Sequence, residues 1–115
     1  MPGAAITSAL QPPTLATSTS PSTKILPLSY AVPWHLVVEN KSGGDLTAIR
    51  LRFRTHTNAP WTPWQSVSSG LPIPAGTEGN TISIVDPDTC AQAIEVELTA
   101  ASTGVAAFWL AGVAP

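Results

Sequence analysis

The sequence has one cysteine, two histidines and only 10% charged residues among its 115. The single Cys90 cannot build an intrachain disulfide framework or a multi-cysteine zinc knuckle. Five Lys and Arg in total are too few to bind nucleic acid by neutralising phosphates, and the net charge is −2. No apolar run approaches the roughly 20 residues a membrane helix needs. Neither nucleic acid nor membrane is therefore expected as a partner. Twelve prolines and eight glycines count against a helical bundle, because each proline removes a backbone donor and restricts the residue before it. The first basic residue is Lys24, so the N-terminus lacks the positive start and unbroken apolar run of a secretory signal. The expectation is cytoplasmic origin, or assembly in the cytoplasm of a host.

What is present divides the chain in two. Residues 1–23 carry no charge, no aromatic side chain and four prolines. Such a segment buries too little apolar surface to offset about 1–2 kcal/mol of ordering entropy per residue. It reads as an extended N-terminal arm. Being uncharged, it is cheap to desolvate and suited to lie along another protein, with Ile6, Leu10, Pro12, Pro13 and Leu15 as candidate contacts. The alternatives are a plain tail, or an arm folded back over the last strand.

Residues 24–115 read as an all-β domain. Short runs rich in Val, Ile, Leu, Thr and aromatics are punctuated by Gly, Pro, Asn and Asp. Strands are predicted near 24–31, 34–39, 46–54, 62–67, 80–85, 92–99 and 104–111. Seven strands in this length point to an immunoglobulin-like β-sandwich, with a jelly roll as the alternative. Two strands alternate strictly. Ile49, Leu51 and Phe53 share one face while Arg50, Arg52 and Arg54 share the other. Likewise Ile94, Val96 and Leu98 oppose Glu95 and Glu97. As third and sixth strands of such a sandwich they are neighbours, which sets an Arg row beside a Glu row. The last strand, 105–111, is apolar on both faces, and Phe108, Trp109 and Leu110 become candidate partner contacts.

After the Arg-bearing strand comes Trp61-Thr62-Pro63-Trp64-Gln65-Ser66. The stretch from Ala48 to Ser66 resembles a fibronectin type III domain. Its W-x-x-W element is similar to the W-S-x-W-S box of cytokine-receptor modules. The resemblance implies Arg52 or Arg54 stacked on Trp61 or Trp64, a cation–π contact. The same indoles could serve instead as a partner contact or a platform for sugar rings.

Catalytic chemistry finds little material. His35 and His56 have no convergent ligand partners for a metal. Cys90 has no nearby cation to lower its pKa. Asp86 and Asp88 suit a turn better than a calcium loop. No phosphate-cradling glycine loop and no nucleophile elbow occur. The expectation is a non-enzyme without catalytic residues, metal or cofactor.

An uncharged arm, a doubly apolar last strand and the confinement of all basic residues to 24–54 point to assembly. In architecture and composition the chain resembles the decoration, or cement, proteins of tailed-bacteriophage capsids. That resemblance implies a virion protein that stabilises the shell and contacts the major capsid protein or other virion subunits. It also implies a homo-oligomer, with a trimer favoured. Two further readings are a glycan- or receptor-binding module of a fibre or surface protein, and a neck or tail subunit.

Overall fold

The computed structural model describes residues 5–7, 13–28, 34–67, 70–75, 81–86 and 91–113. They form nine strands: β1 (Ala5–Thr7), β2 (Thr14–Thr17), β3 (Ser22–Pro27), β4 (Trp34–Asn40), β5 (Leu46–Arg54), β6 (Gln65–Ser66), β7 (Thr81–Asp86), β8 (Ala93–Ala100) and β9 (Gly104–Val113). The pairing is nested. β5 pairs β6, β4 pairs β7, β3 pairs β8 and β2 pairs β9, all antiparallel. Such a ladder behaves as one long hairpin. Rolled up, it acquires the further pairs β4–β9 and β5–β8 and splits into two sheets. One sheet runs β9-β4-β7, with β1 and β2 sharing the free side of β9, and the other runs β3-β8-β5-β6.

The sandwich is all-β, as the sequence predicts, and eight strands, β2 to β9, in this order make a jelly roll. The seven-strand count stopped short of it because β2 lies within residues 1–23. The structure carries β3 across the predicted division at 23/24 and enlists 14–17 as an edge strand. Thr-Leu-Ala-Thr has little pattern of its own. It pairs because β9 offers it a row of backbone donors and acceptors, from Thr14 opposite Ala107 to Thr17 opposite Gly104. Residues 29–31 of the predicted first strand lie outside the described residues.

Period-two alternation positions the core. β4 turns Trp34, Leu36, Val38 and Asn40 inward, β8 turns Ile94, Val96 and Leu98 inward, and Phe108 of β9 is fully buried among them. Trp34 meets Phe53 across the sheets at 5.9 Å between ring centroids, tilted by 45°. Gly104 opens β9 because a Cβ there would collide with Cα and Cβ of Ser42. A cis peptide joins Leu71 to Pro72, and Ile73 forms an isolated bridge with Leu46.

Of the buried polar residues Thr17, Asn40 and Ser42, two form a knot in the core. Asn40, 1% exposed, donates through Nδ2 to the carbonyls of Gly44 and Ile73, each at 2.9 Å. Its Oδ1 accepts from the Ser42 amide at 2.9 Å and the Ser42 hydroxyl at 2.6 Å. One amide thus ties the β4–β5 turn to the bridge segment at Ile73. Truncation would leave the buried Ser42 amide without its acceptor, at about 1–3 kcal/mol, while the Ile73 and Gly44 carbonyls keep the Leu46 amide and the Ser42 hydroxyl. Asn40→Ala is expected to lower stability by about 1–3 kcal/mol, seen as a lower urea midpoint at unchanged slope.

Candidate functional site

The two outer faces differ in kind. On the second sheet, β5 and β8 pair so that Arg50 lies opposite Glu97 and Arg52 opposite Glu95. The predicted Arg row therefore stands beside the predicted Glu row. Arg50 grips Glu97 in a bidentate fork, Nε to Oε1 at 2.7 Å and NH2 to Oε2 at 2.8 Å. Arg52 is paired with Glu95 through Nε and NH2. Arg54 donates from Nε to Oε1 of Gln92 at 2.9 Å.

Over this row lies the β5–β6 connection. It is held by Thr62, whose amide donates to the Phe53 carbonyl at 2.8 Å and whose hydroxyl accepts from the Phe53 amide at 3.0 Å. That anchor brings Trp61 and Trp64, three residues apart, onto the guanidinium row. Trp64 lies between Arg50 and Arg52, at 4.9 and 4.5 Å to the ring centroid. Trp61 lies between Arg52 and Arg54, at 5.2 and 4.8 Å. The result is a five-rung ladder: Arg50, Trp64, Arg52, Trp61, Arg54. The implied stacking of Arg52 and Arg54 is present, and Arg50 joins it. Its signal in the sequence is its even spacing with the other two arginines.

The ladder is braced on both sides, carboxylates or amide beneath and indoles between. Each indole is half-buried, with guanidinium groups on either side. This arrangement stiffens a surface and leaves no open pair of coplanar rings. A cleft of about 310 Å³ opens beside it, lined by Phe53, Arg54, Thr55, Ala59, Pro60, Thr62, Gln65 and Ala91. Among the described residues of that lining, Arg54 is the one charged group, and none is a carboxylate, imidazole or thiol. Among the described residues no three His, Cys, Asp or Glu side chains converge as a metal site. Cys90 and Asp88 lie outside the described residues.

The first sheet's outer face is different. It presents Ala16, His35, Val37, Val105 and Trp109, and its carboxylate is Glu39. Val105 and Trp109 are 39% and 41% exposed. Trp109 Nε1 donates to Glu39 Oε1 at 3.2 Å, His35 Nε2 is hydrogen-bonded to Ser83 Oγ, and Lys41 lies 4.0 Å from Glu39. Of the three predicted contacts on this strand, Trp109 alone faces outward. Phe108 is buried and Leu110 packs partly against the core, because alternation sends 108 and 110 to the opposite face from 109.

The predicted arm contacts are distributed as follows. Ile6 lies opposite Gly112 in backbone register. The Pro13 carbonyl accepts from the Phe108 amide at 2.9 Å, and Leu15 packs partly buried against the core. Leu10 and Pro12 lie outside the described residues. Within 1–23, β1 and β2 thus lie on the chain's own β9, while Ser22 and Thr23 of β3 pair with β8.

No protein-family model and no curated protein matches the sequence. Among solved structures, a chain in the structure of infectious bursal disease virus, Gx strain, is similar with a TM-score of 0.49 and 14% identity. The alignment covers 94% of this chain and 30% of that one, so this chain spans under a third of that chain's length.

Two predictions follow from the ladder's chemistry. Arg52 stacks on both indoles and pairs with Glu95, whose side chain is 12% exposed. Arg52→Ala is expected to cost about 1–3 kcal/mol, and Arg52→Lys to recover less than half, because a point charge cannot stack and fork at once. Chemical denaturation of the two variants checks this. The second concerns pH. The hydrogen bonds from Arg50 hold the Glu97 carboxyl below the ordinary carboxylate range, against partial desolvation and helped by the charges of Arg50 and Arg52. A carboxylate lowered on folding adds stability above its unfolded pKa of about 4.3 and loses it as pH falls through the folded value. Glu97→Gln should therefore show a shallower fall of Tm below about pH 4.3 than the parent chain.

Proposed function

We propose that this chain is a non-enzymatic structural subunit of a virion. In its finer form the proposal is a decoration protein that stabilises an assembled shell through the outer face of the β9-β4 sheet. The observation that carries it is the contrast between the two outer faces. One is closed by a lattice of three arginines, two glutamates and two indoles. The other exposes Val105 and Trp109 on a nearly uncharged surface. Exposed apolar surface rimmed by polar groups is the ordinary mark of a protein contact. Eight-stranded jelly rolls occur in viral capsids, which supports the reading by analogy of fold.

The mechanism is mass action: a subunit that binds only the assembled shell stabilises that state by RT ln(1 + [L]/Kd), about 2.7 kcal/mol at a hundredfold excess over Kd. With β1 and β2 held on their own sheet, the surface offered to a shell is the sheet and its bordering strands rather than a free clamp. A neck or tail subunit would use the same surface. A glycan-binding module loses its strongest support, since Trp61 and Trp64 are each stacked between guanidinium groups.

The test is quantitative mass spectrometry of purified particles, with parent and Trp109→Glu chains supplied in turn. The expected result is a fixed stoichiometry to the shell subunit for the parent and at least a tenfold loss for Trp109→Glu. Absence of the parent from particles would sink the proposal.

A further inference from the structure

An edge strand presents unpaired N–H and C=O groups, and natural sheets blunt such edges by shortness, proline, inward charge or cover. The sandwich has four edges, and three carry such a device. β6 is two residues long. β3 contains Pro27 and sets Lys24 at the register of buried Val96, on the inner-face side. The free side of β9 is covered by β1 and β2, of three and four residues, with Pro13 immediately before β2.

The fourth edge, β7, has none of these among the described residues. Its six residues, Thr-Ile-Ser-Ile-Val-Asp, contain no proline and a single charge at the last position. It pairs along its whole length with β4. Among the described residues no backbone hydrogen bond reaches its other side.

We infer that β7 is a self-association edge, and that it pairs antiparallel with β7 of a second copy of this chain about a two-fold axis through Ser83. The sequence of the strand selects both the occupant and the register. A two-fold axis perpendicular to the sheet keeps inner faces together, so paired residues must share parity. Centred on Ser83, the pairing sets Ile82 opposite the partner copy's Ile84 on the inner side. Ser83 then meets Ser83 of the partner copy on the outer side. Both are favourable cross-strand pairs, apolar with apolar and hydroxyl with hydroxyl, and no two like charges oppose each other. Centring on Ile84 would set Ile82 opposite Asp86 in register, and centring on Ile82 would pair only residues 81–83 of the strand with each other, against 81–85 about Ser83. Ile84, partly buried against the core, gains cover from the pairing. The product is a closed dimer whose sheet runs continuously through both copies, with each β9 face displayed on the same side.

This inference names a contact between copies and goes beyond the docking role proposed above. The experiment is sedimentation equilibrium of the full chain from about 10 µM to 1 mM. The expected limit at high concentration is twice the 11.9 kDa chain mass. Ser83→Lys, which puts two ammonium groups at the axis, should weaken dimerisation at least tenfold with an unchanged circular dichroism spectrum. Trp109→Glu should leave the mass unchanged, which separates this edge from the docking face.

A second variant does not depend on tolerance of lysine. Ser83→Cys in a Cys90→Ser background should oxidise to a covalent dimer, and Thr81→Cys in the same background should not, because only position 83 meets itself. A single-chain mass throughout, a three-chain mass, a dimer indifferent to Ser83→Lys, or crosslinking at 81 rather than 83 would each overturn the inference. Loss of particle incorporation with the dimer intact would overturn the docking role alone.

Discussion

The register between β5 and β8 is the constraint on which the rest depends. It places Arg50 against Glu97 and Arg52 against Glu95, and the same register places Ile49, Leu51 and Phe53 against Leu98, Val96 and Ile94 in the core. A slip of one residue would turn every one of these side chains to the wrong face, burying guanidinium groups and exposing the core. The charged row and the apolar row therefore specify one another. The nested ladder then follows, because β4 and β9 flank β5 and β8 in the chain and close the second layer over the same core.

Legibility in the sequence tracks where the stabilising contacts lie. β5 and β8 are half-exposed strands whose two faces differ in chemistry, so Arg50 to Arg54 and Ile94 to Leu98 display their pairing in the bare sequence. β2 is the opposite case. Thr14–Thr17 has one large apolar residue, Leu15, and is a strand because of β9 and not through any pattern of its own. With β2 counted as arm, a jelly roll looks like a seven-strand sandwich. The ladder was half legible: W-x-x-W and alternating Arg are visible, but their interleaving depends on how the β5–β6 connection folds back to anchor Thr62 on Phe53, which no residue pattern there announces. The Asn40 knot was invisible for the same reason, since Ile73 is far from it in the chain.

Within the last strand, apolar composition on both faces concealed two different roles. Phe108 belongs to the core, and Trp109 to the surface. Composition marks a strand as unusual, but only parity assigns each residue its side. The outer faces then divide the work of a small sandwich. One carries stacked cations and indoles. The other exposes Val105 and Trp109, with Glu39 and Lys41 as its charges.

The nesting of strands has a geometric corollary. Ala5 lies opposite Val113, while the centre of the sequence, the β5–β6 connection, lies at the innermost turn of the roll. The described chain therefore enters and leaves by one corner. Linking Val113 back to Ala5 and reopening the chain at the exposed residues 55–58 would preserve every described strand pair. Segments attached at Ala5 and at Val113 would therefore depart from neighbouring positions of the same sheet.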